Sequence, residues 1–188
     1  MALVDLLAVA YLCLMSLRST AWFLPLVLLW ACSGAPLKKH FEEMAGPAEA
    51  HWRGVLLGET WQQVQEKEDA KALVALDSAF IKYHFHYSDS EYYEVQYQFV
   101  EEKLDEIYVQ VFLNSEQRGE ALTDIALAHY SDAWNQEALM DQGVYAFAKS
   151  GVAVEIMDES PLHGPGMLRL IFRKAPPEKA LKEPQLPS

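Results

Sequence analysis

The stretch YYEVQYQFVEEKLDEIYVQVFL, residues 92–113, decides how the rest of the chain is read. Tyr93, Val95, Tyr97 and Phe99 alternate with Glu94, Gln96 and Gln98. After a polar break, Ile107, Val109, Val111 and Leu113 alternate again. A period of two is that of a strand with one face buried and one face wet, since successive side chains point to opposite faces. A helix of this composition would scatter its tyrosines and valines around its circumference. The pattern predicts a hairpin with a three-residue turn, Glu101-Glu102-Lys103, that sets Val100 opposite Leu104, Tyr97 opposite Ile107 and Val95 opposite Val109. That register keeps apolar against apolar across one face.

Working outward, Phe80–Tyr87 alternates in the same way, with Ile81, Tyr83, Phe85 and Tyr87 on one side and Lys82, His84 and His86 on the other. The two apolar sets share a face only if the connecting loop is odd in length. Pairing Phe85 with Val95 then sets His86 opposite Glu94, His84 opposite Gln96 and Lys82 opposite Gln98. Before these strands, Glu59 to about Leu76 suits a helix with Thr60 as N-cap and with Trp61, Val64 and Leu73 toward the core. After them, Ser115 to Trp134 reads as a helix turning Leu122, Ile125, Leu127 and Tyr130 to the sheet. A second strand group follows at 144–149, 152–157 and 167–173. Ser150-Gly151 supplies a two-residue turn, because glycine adopts positive φ freely. The predicted class is α+β: two αβββ units over residues 53–174, with helices on one face of an antiparallel sheet.

That doubled unit resembles the beta-lactamase-inhibitor-like fold and, more loosely, the small outer-membrane assembly lipoproteins of the SmpA/OmlA type. Gly58-Glu59-Thr60-Trp61-Gln62-Gln63-Val64 is similar to the Gly-x-Thr-x-x-x-Val helix entry of that group. The run Val154-Glu155-Ile156-Met157-Asp158-Glu159-Ser160, followed by Gly166-x-Leu168, resembles the ending of uncharacterised lipoproteins of Bacteroidetes type.

The N-terminus carries a different signal. Residues 1–31 hold only two charges, Asp5 and Arg18, and the oily run FLPLVLLW stops at Ala31-Cys32-Ser33-Gly34. Arg18 splits the segment into runs too short for the ~20 apolar residues of a membrane span. Residues 1–31 instead fit a secretory signal, in its cleanest form starting at Met15. Leu29-Trp30-Ala31-Cys32 resembles the lipobox of bacterial lipoprotein signal peptides. The resemblance implies cleavage before Cys32 and lipid on its sulfur and amino group, giving a membrane anchor of two or more chains. Ser33 resembles the pattern that permits outer-membrane sorting. Residues 32–52, with Pro36, Gly46 and Pro47, read as a lipidated tether with a short helical turn at 37–44. Residues 175–188, with four prolines, read as a disordered tail.

The charge balance narrows the function. With 15 Lys+Arg against 27 Asp+Glu, the formal net charge is −12 at pH 7. Phosphate backbones and anionic head groups are repelled, and no basic run offsets this, so nucleic acid is not an expected partner. The cysteines are Cys13 and Cys32 alone, so the domain has neither a disulfide nor a thiolate metal site. His84 and His86 form a His-x-His pair on one strand face. Zinc would need further ligands, for which His51, Glu94, His129 and His163 are the candidates; a solvated polar sheet face is the alternative. The loop 158–166 collects Asp, Glu, Ser, His and Gly, a composition that suits either a site or a connector. Tyr83, Tyr87, Tyr93 and Tyr97 suit the core face rather than a binding platform. No motif for nucleophilic, phosphate-binding or metalloprotease chemistry appears. No catalytic residue and no cofactor is expected. The expected function is that of a lipid-anchored envelope protein, a non-enzymatic binding or scaffolding module for another envelope component. A periplasmic metal-binding protein or enzyme built on His84 and His86 is the alternative. Apolar side chains on the outer sheet face favour the first, and a pocket converging on both histidines and a carboxylate favours the second.

Overall fold

The computed structural model describes residues 34–47 and 50–175. The signal segment, Met15, Cys32 and the tail after Ala175 therefore lie outside the described residues. The chain divides into two compact units, 1–39 and 40–188. Of the first, the described part is the start of helix α1 (Gly34–Ala45). The second holds everything below.

Within it, helices lie on one face of an eight-stranded antiparallel sheet of order β1-β2-β3-β4-β8-β7-β6-β5. The strands are β1 (Leu73–Leu76), β2 (Phe80–His86), β3 (Tyr92–Val100), β4 (Lys103–Leu113), β5 (Leu139–Asp141), β6 (Val144–Lys149), β7 (Val152–Asp158) and β8 (Gly166–Lys174). Helix α2 is Trp61–Lys67 and helix α3 is Glu116–Trp134. The two αβββ halves are thus present, each gaining a short strand that becomes a sheet edge. They meet where β4 pairs with β8, in a register that sets Val109 against Leu170 and Val111 against Leu168.

The core face is the one the alternation marks. Ile81, Tyr83, Val95, Tyr97, Ile107, Val109, Val111, Leu168, Leu170 and Phe172 are all buried. Tyr97 faces Ile107 and Val95 faces Val109, as expected. The turn is shorter than expected. Glu101 and Glu102 alone connect the strands, with Val100 opposite Lys103 and both glutamates at positive φ (49° and 63°). That is the type I′ geometry whose twist matches a hairpin. A two-residue turn would by itself move every apolar side chain of β4 to the wrong face. A bulge corrects the phase: Phe99 faces Leu104, Gln98 faces Glu106, and Asp105 is the extra residue. The bulge also brings Leu104 in beside Phe99 and leaves Val100 outside.

The β2–β3 register is corrected by two residues. Phe85 faces Tyr93, His84 faces Glu94, Lys82 faces Gln96 and His86 faces Tyr92. The loop, residues 87–91, is odd as parity requires and starts one residue earlier than the expected pairing sets it. The Tyr87 and Ser88 amides both donate to the Glu91 carbonyl, at 2.8 and 3.2 Å. The Ser88 hydroxyl accepts from the Ser90 and Glu91 amides. Glu91 itself is held by a two-pronged pair with Arg118 on α3, at 2.7 and 2.8 Å.

Helix α2 keeps the expected start, with a capping box between Thr60 and Gln63, but ends at Lys67. The chain turns extended at Glu68, whose carboxylate is drawn into the core. A 3₁₀ turn at Ala70–Ala72 then leads into β1, where the run Leu-Val-Ala-Leu pairs with β2 instead of continuing the helix. The stretch expected to be a tether also folds. Phe41, Met44 and Trp52 are buried, and the rings of Trp52 and Tyr130 each contact both Phe41 and Phe172.

Helix α3 packs against β6, β7 and β8. Leu122, Thr123, Ala126, Tyr130 and Trp134 face inward, while Ile125 and Leu127 are only half-buried, one position off the buried stripe. Its first turn touches β8 backbone to backbone. A Cβ at Gly166 would lie 2.4 Å from the Ser115 carbonyl oxygen and 2.7 Å from the Gly119 nitrogen. Glycine is required at this crossing.

Candidate functional site

Two groupings of polar side chains stand out, one on each face of the sheet.

On the open face, away from the helices, the strand partners gather His84, His86, Tyr92, Phe112, Tyr108, Met167 and Ile171. The Tyr92 ring stacks on Phe112 at 4.5 Å between centroids and on His84 at 4.7 Å, and His84 meets His86 at 4.6 Å. Arg169 sits over the Tyr108 ring at 5.4 Å. Tyr92, Tyr108, Phe112, Met167 and Ile171 are each half-buried. Two apolar stretches, Tyr92-Phe112-Met167 and Tyr108-Ile171, flank the polar row Glu94-Gln110-Arg169, and both are unusual on the wet face of an antiparallel sheet, where alternation normally delivers polar groups.

Three ion pairs stand on or beside this face. Lys82 holds Glu94 at 2.7 Å, Arg169 holds Glu159 at 2.6 Å, and Arg173 holds Glu155. His84 Nδ1 lies 3.4 Å from Glu94 Oε1. The expected candidate pair thus shares a face and meets one carboxylate, across from His84 rather than His86.

The other candidate zinc ligands are placed elsewhere. His51 Nδ1 accepts from the Leu57 amide, and burial lowers its pKa against the pull of Glu59. His129 packs on Phe41 and Tyr130. The His163 amide donates to Glu116 Oε2. Among the described residues no three His, Cys, Asp or Glu side chains converge to hold a metal ion.

The loop 158–166 acts as a connector that caps α3. The Glu116 amide donates to the Gly164 carbonyl, the Ser160 hydroxyl accepts from the Met167 amide, and Asp158 accepts from the Ser160 amide. Of the tyrosine stripe, Tyr83, Tyr93 and Tyr97 are buried in the core face and Tyr87 is half-buried.

The second grouping lies on the core face and was not anticipated. Arg53 Nε donates to both oxygens of Glu68, at 3.1 and 2.9 Å, and its Nη1 donates to the Tyr93 hydroxyl at 2.6 Å. Tyr97 donates its hydroxyl to the same carboxylate. The Arg53 guanidinium also lies 4.2 Å over the Phe85 ring. The Glu68 side chain is fully buried and that of Arg53 is half-buried. Burial raises the Glu68 pKa, and Arg53 and the Tyr97 hydroxyl act against that rise. Burial likewise pushes Tyr93 up to about 12. Arg53 reaches inward because the chain reverses at Arg53-Gly54, both at positive φ, closing a bridge between Trp52 and Val55.

Beside this cluster a cleft of about 410 Å³ is lined by His40, Glu43, Arg53, Phe85, His86 and Tyr93, among others. It takes in His86 and a carboxylate but not His84. In sequence, Glu68 sat in a predicted helix and Arg53 at the start of the domain, with no pattern linking them. The turn signal Arg53-Gly54 was the one local clue.

Comparison with protein-family models, with curated proteins and with solved structures finds no match for this chain.

Proposed function

We propose that this chain is a lipid-anchored protein of the cell envelope, tethered through Cys32 after loss of residues 1–31 and directed to the outer membrane. There it works as a non-enzymatic binding or scaffolding module for another envelope component. The observation that carries the binding role is the pair of apolar stretches on the open sheet face, Tyr92-Phe112-Met167 and Tyr108-Ile171, set among ion pairs. Apolar patches on an open sheet face mark interaction surfaces. The lipobox-like Leu29-Trp30-Ala31-Cys32 supports the anchor. Among the described residues no helix is long and apolar enough to cross a membrane. A net charge of −12 gives anionic head groups nothing to attract, so the anchor must be covalent on this reading.

Metabolic labelling with a fatty acid tests the anchor. The native chain incorporates label and sediments with membranes, and Cys32→Ser loses both properties or stalls before processing. Label retained in Cys32→Ser excludes lipidation at this residue.

A further inference from the structure

We propose that the open face of the sheet is an interface between two copies of this chain, packed sheet against sheet. The inference rests on reading that face as a binding surface and adds what occupies it.

Charge is the first argument. The chain carries −12 overall, so two copies repel at most approaches. The strand residues of the open face are balanced instead: Lys82, Arg169 and Arg173 against Glu94, Glu106 and Glu155. Lys82–Glu94 and Arg173–Glu155 are paired within the chain, so closing this face leaves those four charges partnered, while Glu106 keeps the nearby charge of Arg173.

Chemistry is the second. A two-fold contact sets a patch against itself, so its groups must complement themselves. Between the charges stand Gln96, Gln98 and Gln110, with Tyr92 and Tyr108. Amides and phenols each donate and accept, so they can pair with their own kind, which a row of lysines or of glutamates cannot do. The apolar members, Phe112, Met167 and Ile171, need no directional match.

Size is the third. The six longer strands span about 24 Å across and about 24 Å along at ordinary strand spacings. The corrugated surface over that area approaches the roughly 800 Å² per partner of a stable interface. Two such twisted sheets pack at about −30° with side chains interleaved.

The test uses the full chain in its membrane. A photo-crosslinking benzoyl-phenylalanine is placed at Tyr108, with the same group at the exposed Glu120 of α3 as control. The expected product at position 108 has twice the mass of the chain and joins it to a β3, β4 or β8 peptide of a second copy. The control gives none. In detergent, sedimentation of the full chain carrying Gln96→Glu and Gln110→Glu, which keep side-chain size, shows a dimer dissociation constant raised at least about tenfold, relieved by salt. A product at 108 that contains only a different protein overturns the dimer and leaves the binding surface standing. No product at 108 overturns both. Fatty-acid labelling reads the anchor independently of either result.

Discussion

Arg53 and Glu68 show how much one residue pair can carry when it is buried. The carboxylate is fully enclosed, and its charge is tolerated because Arg53 and the Tyr97 hydroxyl face it. Arg53→Ala leaves that charge without its cation, a loss of about 3–5 kcal/mol. The pH dependence has a definite sign. Burial sets the folded pKa of Glu68 above its ordinary value of 4.5, so over the window between the two the folded state binds more protons than the unfolded. Stability from this group is therefore highest below that window and falls as pH rises through it. Removing Arg53 widens the window, so the variant's deficit in urea unfolding is larger at about pH 8 than at about pH 5. Equal deficits at both would mean that Glu68 is not the residue responsible. The histidines are the opposite case. His84 and His86 lie on the open face, where each cross-strand contact contributes only ~0.2–1 kcal/mol. The double substitution His84→Ala, His86→Ala keeps the fold and shifts melting slightly, and zinc does not raise the melting temperature of the native chain. A zinc-dependent rise abolished by the double substitution establishes the metal-binding alternative.

At the scale of an element, the β3–β4 hairpin balances two demands. The turn takes the two-residue form that suits strand twist, and the bulge at Asp105 restores the face pattern. Its cost is local: Glu101 and Glu102 both hold positive φ, where L side chains crowd the following carbonyl. Glu101→Asn with Glu102→Gly, the pair preferred in a type I′ turn, stabilises the protein by about 1 kcal/mol and raises the melting temperature. Since neither side chain is buried, a lowered melting temperature would show that the turn is not of this type. The alternation of residues 92–113 revealed both strands and their buried face, because that pattern is a direct image of the pleat. The turn and the bulge left no such image. A three-residue turn and a two-residue turn with one bulged residue restore the same phase, so periodicity cannot separate them. The β2–β3 register escaped for a similar reason. Parity was legible in the residues, but a shift by two preserves parity, and the choice was made by the Ser88 and Glu91 contacts of the loop.

For the whole molecule, the decisive difference lies at the start of the folded unit. Residues 32–52 contain Pro36, Gly46 and Pro47 and few large apolar groups, which resembles a tether. Yet Phe41 and Trp52 are among the largest fully buried side chains. Phe41→Ala removes a ring surrounded by Trp52, His129 and Tyr130. The expected loss is about 3–5 kcal/mol by chemical denaturation. A loss under about 1 kcal/mol would return this segment to the role of a tether. Taken alone, the sequence determined what depends on nearest neighbours along the chain. The class, the six longer strands, the long helix, its Ser115 start and the Ser150-Gly151 turn all follow from side-chain period and local backbone preference, whereas β1 and β5 do not. The tertiary structure decided what depends on residues far apart in sequence: that β4 meets β8 to join the halves, that Gly119 and Gly166 let helix and strand touch, and that Arg53 and Glu68 find each other inside the core. Those contacts are selected by the total packing energy of the assembled sheet and helices, which no short window of sequence contains.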